Sequence, residues 1–174
     1  QILKKDEQLN KQHHKYLDTM YNSGQHLLAM INDILDVSKI EAGKIELQLD
    51  HVSIENFCTE LRSMFQVRCT EKQLSYSVSL RQSVPDYIRA DVVRLRQVMI
   101  NLIGNAVKFT QPGGSVAVVI DCVGTTNNNS NEAILRFEVR DTGRGIPDNQ
   151  LKTIFEPFRQ VNGMYSEGTG LGLA

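Results

Sequence analysis

Residues 1–42 constrain the fold most. They hold no proline and a single glycine, Gly24, so nothing in them stops a helix. Leu3, Asn10, Leu17, Gly24, Ile31 and Ser38 recur every seven residues, and Tyr21, Leu28 and Leu35 fill the position four further on. Met20, Leu27 and Ile34 widen that stripe, which is dense from Leu17 to Ile40 and thin before it. So broad an apolar face suits a four-helix bundle better than a two-stranded zipper, and one helix cannot bury it. Homodimerisation through residues 1–43 is the expectation. Gly43 reads as the C-terminal cap.

The remaining residues alternate between two periods. Ile45, Leu47 and Leu49 alternate with polar residues, which predicts a half-buried strand. Ser53 can cap a second helix to about Glu71, with Ile54, Phe57, Leu61, Met64 and Phe65 on one face. Leu74 to Leu80 alternates again, and Val84-Pro85-Asp86 turns the chain. Asp91 can cap a third helix to about Phe109, which Gln111-Pro112-Gly113-Gly114 ends. Strands follow at Ser115–Val123 and Ala133–Arg140, joined by a polar loop from Thr125 to Asn131. From Asp141 onward the chain is rich in glycine and reads as binding loops. The prediction is a long helix followed by an α+β domain, with helices on one face of a mixed sheet.

Charge narrows the partners. Nineteen basic residues face 20 acidic ones, a formal charge of -1, which gives no footprint for nucleic acid. No apolar run reaches the length that spans a bilayer, and the opening QILKKDEQLN is unlike a secretory signal, so no direct membrane contact is expected. Cys58, Cys69 and Cys122 are odd in number, far apart and without a CxxC pair, which argues for small hydrophobes in a reduced, cytoplasmic setting.

Three clusters carry chemistry. In the third helix Val92, Leu95, Val98, Leu102, Ala106 and Phe109 form a candidate core stripe. A second row is Gln97, Asn101, Asn105 and Lys108, spaced four, four and three. Asparagine is a mediocre helix former, so two of them one turn apart need a reason. Either the row is a solvated face, or its amide oxygens and ammonium meet a metal-bound polyphosphate, where Mg²⁺ needs only one or two protein ligands. Next, Asp141-Thr142-Gly143-Arg144-Gly145-Ile146-Pro147 ends an alternating strand. It is either a plain Asp-Gly turn, or a carboxylate accepting from the exocyclic amine of adenine beside backbone that glycine leaves open. Last, Gly168-Thr169-Gly170-Leu171-Gly172-Leu173 can wrap phosphate oxygens with backbone N–H groups. It is neither a dinucleotide-fold GxGxxG nor a P-loop.

Order and spacing together are more specific. Asn101-Leu-Ile-Gly-Asn105-Ala-Val-Lys108-Phe-Thr110, then Asp141-Thr-Gly143-Arg-Gly145, then Phe155-Glu-Pro-Phe158, then Gly168-Thr-Gly170-Leu-Gly172 resembles the N, G1, F and G2 boxes of sensor histidine kinases. That family shares an ATPase superfamily with gyrase, MutL and the ninety-kilodalton heat-shock chaperone. Residues 31–44, INDILDVSKIEAGK, resemble the second dimerisation helix of hybrid-type members. The resemblance implies an α+β, two-layer α/β sandwich of the Bergerat type over residues 44–174, preceded by part of a long dimerisation helix over residues 1–43.

It also implies roles. Asn105 would ligate Mg²⁺, with Asn101 supporting metal and phosphates and Lys108 contacting phosphate of ATP; Asn101 and Lys108 would be the catalytic pair. Phe109 would belong to the nucleotide site, Asp141 would read the adenine amine, and Gly143, Gly145 and Ile146 would lie against the base. Gly168, Thr169, Gly170, Leu171 and Gly172 would form the phosphate end of a lid, anchored by Phe155 and Phe158. Water-splitting relatives carry a glutamate where this chain has Asn101, and an amide cannot serve as a base. The site would therefore hydrolyse ATP slowly and pass the γ-phosphoryl to a histidine, and then to a response-regulator receiver domain.

Two departures qualify the likeness. No His-Glu-x-Arg/Lys-x-Pro motif occurs, and His13, His14, His26 and His51 read as surface histidines, so autophosphorylation by this chain is not expected. The family also continues past its third glycine box with a helix and strands, which implies a domain lacking its last elements. The competing reading is a dimerisation and docking module with a vestigial nucleotide site; a gyrase- or chaperone-type ATPase is disfavoured by Asn101 and the leading helix.

Overall fold

A computed structural model describes residues 11–44, 46–81, 83–125 and 132–155. Helix α1 runs Lys11–Glu41. It ends as Gly43 implied: Gly43 takes φ +62, its N–H donates to Ile40 O at 2.9 Å, and Lys44 N–H donates to Lys39 O at 2.9 Å. That pair of bonds satisfies carbonyls the last turn would otherwise leave orphaned. Met20, Leu27, Leu28, Ile31, Ile34 and Leu35 of the stripe are all exposed. Helix α1 belongs to one compact unit and Glu46–Thr153 build another.

The second unit contains β1 (Asp50–Ser53), α2 (Ile54–Glu71), β2 (Ser75–Leu80), β3 (Tyr87–Ala90), α3 (Val92–Phe109), β4 (Ser115–Thr125) and β5 (Ala133–Asp141). Strand β4 pairs with β2 in parallel and with β5 in antiparallel, giving a mixed sheet in the order β2-β4-β5, while β1 and β3 form a separate antiparallel pair. Ser53 starts α2 by accepting from Asn56 N–H, and Asp91 starts α3 by accepting from the N–H groups of Val93 and Arg94 at 3.0 Å. Asp91 also accepts from Gln48 N–H, which ties the segment before β1 to the head of α3.

The core lies between the helices and the sheet. Helix α2 buries Ile54, Phe57, Cys58, Leu61, Phe65 and Cys69, one face at spacings of three and four. Every second residue of β4, Val116, Val118 and Ile120, is buried against it with Val78 of β2. Phe57 meets Phe137 of β5 edge-on, with centroids 6.4 Å apart, an arrangement the ring quadrupole favours.

Several expectations shift. No strand forms at 46–49, where Leu47 and Leu49 are exposed; the strand starts at Asp50, and Ile45 is outside the described residues. Met64 is 46% exposed, because the buried face of α2 is completed by Cys58 and Cys69 instead. Strand β3 was not expected: four residues after a proline turn carry little periodicity, and pairing with β1 creates it. The core stripe of α3 is turned: Met99, Ile103, Ala106 and Val107 are buried, whereas Val98 is 53% exposed and Leu102 and Phe109 are half-buried. The loop tip at 126–131 lies outside the described residues.

Candidate nucleotide site

Turning the core stripe of α3 leaves the amide row on the opposite side. Asn101 stands two residues from both Met99 and Ile103, about 200° around the helix from each. Gln97, Asn101 and Asn105 are half-buried and Lys108 is exposed. The N-cap and the buried stripe therefore set the helix's rotation, and the rotation sets where these polar side chains stand.

The C-terminal end of α3 is held by contacts distant in sequence. Thr110 is extended (φ -86, ψ 132), so no left-handed cap closes the helix. Ala106 O accepts from both Thr110 N–H at 3.0 Å and the buried Thr110 hydroxyl at 2.7 Å. Val107 O and Lys108 O accept from the Lys72 ammonium at 2.7 and 2.8 Å. Phe109 O faces Gly143, where a Cβ would stand 2.7 Å from that oxygen. Ala106 O, Val107 O and Lys108 O thus each have a donor, and Phe109 O is the terminal carbonyl turned towards the Gly143 loop.

Gly143 joins this end to the end of β5. Its N–H donates to Asp141 Oδ1 at 2.8 Å, the same oxygen that a Cβ would approach to 2.7 Å. Thr142 fastens the loop to the start of β4: its N–H donates to Ser115 O, and its hydroxyl accepts from Ser115 N–H at 2.9 Å. Past the loop, Gly145 takes φ +68 and Ile146 is 42% exposed. The Arg144 guanidinium lies 4.9 Å from the centroid of the Phe109 ring and the Lys108 ammonium 5.2 Å from it, within cation–π range.

The structure therefore brings Lys108, Phe109, Asp141, Gly143 and Arg144 to one place, where the C-terminal end of α3 meets the end of β5. Asn101 and Asn105 precede that junction on α3. Phe155 is 61% exposed. Phe158, Gly168, Thr169, Gly170, Leu171 and Gly172 lie outside the described residues.

Among the described residues no three or more His, Cys, Asp or Glu side chains gather as a metal site. Gln97 Oε1 already accepts from Arg94 at 2.9 Å, and the amides of Asn101 and Asn105 are a set that fits Mg²⁺ only together with ligand oxygens and water. A shallow depression of about 490 Å³ lies elsewhere, on the outer face of α2, lined by Asn56, Thr59, Glu60, Ser63 and Met64. Its one charged group, Glu60, is already bridged by Arg96 of α3 at 2.8 Å.

Sequence reasoning assigned Arg144 no role and did not single out Lys72. Arg144 had a signal, being the one charged residue between two glycines. Lys72 had none, because a lysine at a helix end is ordinary.

Among the described residues no helix is long and apolar enough to cross a membrane. Residues 90–174 match the family of histidine kinase-, DNA gyrase B- and HSP90-like ATPases, and residues 1–43 match the His kinase A (phospho-acceptor) domain. The circadian input-output histidine kinase CikA of Synechococcus elongatus is 42% identical over 171 residues, covering 95% of this chain and 22% of that protein. The cell-division control histidine kinase PdhS of Brucella anthropi is 37% identical over 175 residues, covering 94% of this chain and 16% of that one. This chain thus spans less than a quarter of either relative. The crystal structure of full-length ShkA in complex with AMPPNP superposes with a TM-score of 0.75 at 34% identity, covering 95% of this chain and 33% of ShkA. A phospho-acceptor-type helix, an ATPase-type α/β unit and relatives of one kind across nearly the whole chain place this protein in the sensor histidine kinase family.

Proposed function

We propose that this chain binds MgATP between the amide row of α3 and the loop after β5, as the catalytic part of a sensor histidine kinase in two-component signalling. The observation that supports this best is the contact of Gly143 with the Phe109 carbonyl, because it seats the adenine-type motif against the helix that carries the phosphate-type motif. Asp141 Oδ1 is engaged by Gly143 N–H, and a carboxylate accepts through both oxygens, so Oδ2 is the atom for the adenine amine. Gly143, Gly145 and Ile146 would take the base, Phe109 its neighbouring edge, and Lys108 the phosphates. Asn105, helped by Asn101, would hold Mg²⁺, whose charge would offset that building on the transferred group. Gly168 to Gly172, with Phe155 and Phe158, would close over the phosphates.

With no carboxylate at position 101 to deprotonate water, the acceptor is a nucleophile that needs less activation, a histidine outside this chain. Slow hydrolysis follows. A second copy would cover the stripe of α1, and a receiver domain would take the phosphoryl group from the histidine.

Titration calorimetry with MgATP and with a non-hydrolysable analogue tests the site. Saturable binding of both is expected, weakened at least about tenfold by Asp141→Asn, which replaces an acceptor facing the amine with a group that can present N–H to it. Absence of binding would leave a docking module and overturn the reading. Brisk ATP hydrolysis by the chain would overturn the transfer step.

A further inference from the structure

The candidate phosphate end of the site stands at the C-terminal end of α3, electrostatically the wrong end of a helix for an anion. Partial negative charge collects there, on carbonyls that the helix itself leaves unpaired. Helices usually meet phosphate at the other end. Thr110 turns away in an extended conformation, so the common left-handed closure, which α1 uses at Gly43, is missing here. In its place Lys72, from the far end of α2, sends its ammonium to Val107 O and Lys108 O at 2.7 and 2.8 Å. These are the carbonyls of the turn that carries Asn105, Lys108 and Phe109.

The arrangement around Lys72 is built. Residue 73 takes φ 58, uncommon for a glutamine, and Gln73 O accepts from Gly113 N–H at 2.9 Å, which ties the α2 end to the turn after α3. Leu74 N–H donates to Cys69 O at 2.8 Å and sends the chain into β2. Lys72 is thereby presented from a closed turn.

We infer that Lys72 is a positioning residue for the nucleotide: it fixes the last turn of α3 and cancels the negative end of that helix, so that the turn accepts a triphosphate. This rests on the reading of the site as an MgATP site. Lys72 would touch no ligand atom. Its effect would pass through backbone carbonyls to the placement of Lys108 and Asn105, and through its charge to the phosphates.

The test compares Lys72→Met and Lys72→Arg in the 174-residue chain. Calorimetry with MgATP and with adenosine, and hydrogen exchange of the last turn of α3, are read together. Methionine should weaken MgATP about tenfold, leave adenosine within about twofold, and speed exchange in that turn about tenfold while β4 is unchanged. Arginine, whose fork can also serve two carbonyls, should restore most of both. Equal weakening of MgATP and adenosine, or unchanged exchange in that turn, would overturn the inference. Were Lys72→Met not to fold, reductive methylation of the native chain decides: Lys72 should label well behind the exposed Lys108, and equal labelling would overturn it. Should the native chain bind no nucleotide, the reading of the site fails by that result, whereas exchange and labelling still judge the contact of Lys72 with α3.

Discussion

Gly143 shows how one position can serve packing and recognition together. The sequence argument for it was access, since a glycine lets a ligand lie against backbone. The structure adds a second reason, because a methyl group there would press on both Phe109 O and Asp141 Oδ1 at 2.7 Å. Neither oxygen is the tip of a long flexible side chain. Gly143→Ala should therefore cost about 1–3 kcal/mol and visibly lower the melting temperature even without nucleotide. An unchanged melting curve would mean the contact is looser than described. The cysteines make the opposite case, that of residues with no chemistry to do. Burial pushes the Cys58 thiol up to about 11, outweighing the lowering by Arg62 and with Glu55 adding a smaller raise, and burial also pushes up Cys69. Cys122 on β4 is only half-buried. Iodoacetamide near pH 8 should modify Cys122 in the native chain and reach Cys58 and Cys69 only after denaturation, which peptide mass mapping would read. Early labelling of Cys58 would count against the packing of α2.

Element boundaries divide into those written locally and those made by partners. The end of α1, the start of α2 and the start of α3 follow from caps and breakers within a few residues. Asp91 is the clearest, accepting from Arg94, Val93 and Gln48 N–H groups. Those backbone donors, Arg94 first and Gln48 next, hold its carboxyl below the usual carboxylate range. A folded value below the unfolded one means the stabilisation is present above the unfolded pKa, about 4, and is lost as the pH falls through the folded value. The urea midpoint should accordingly drop as the pH is lowered from about 5 towards 3, and Asp91→Asn, which can still cap but does not titrate, should flatten that part of the fall. An identical acid profile for the variant would remove Asp91 from the cause. The element that sequence reasoning missed, β3, has no such local code. It is a strand because Asp50–Ser53 pair with it.

At the scale of the whole molecule the two units make different demands. The α/β unit closes a core over the inner faces of β2, β4 and β5. Helix α1 offers Leu28, Ile31 and Leu35, each 45% exposed or more, with no described cover. Bringing a second copy onto that stripe removes it from water. Sedimentation equilibrium should find a dimer, and Leu28→Glu with Leu35→Glu, which would bury unpaired carboxylates, should weaken it roughly a hundredfold. A native chain that stays monomeric would send the stripe to another partner.

The residues alone determined the three helices and the strands β2, β4 and β5 in their order, the N-caps of both helices of the α/β unit, and the spacing of the four motifs. These are short-range properties, carried by period, capping side chains and breakers that act within one turn. They also singled out Asn101 and Asn105, because asparagine is a mediocre helix former, and Lys108 and Asp141 through their place in the ordered motifs. Only the tertiary structure decided which way α3 is turned, that Met99 and Ile103 rather than Val98 face the sheet, and that Lys72 reaches its last carbonyls across 35 and 36 residues. Those outcomes depend on which surfaces meet. A stripe of apolar residues wider than the contact it fills leaves its rotation open, and a flexible lysine stem names no partner until the chain has brought one within reach.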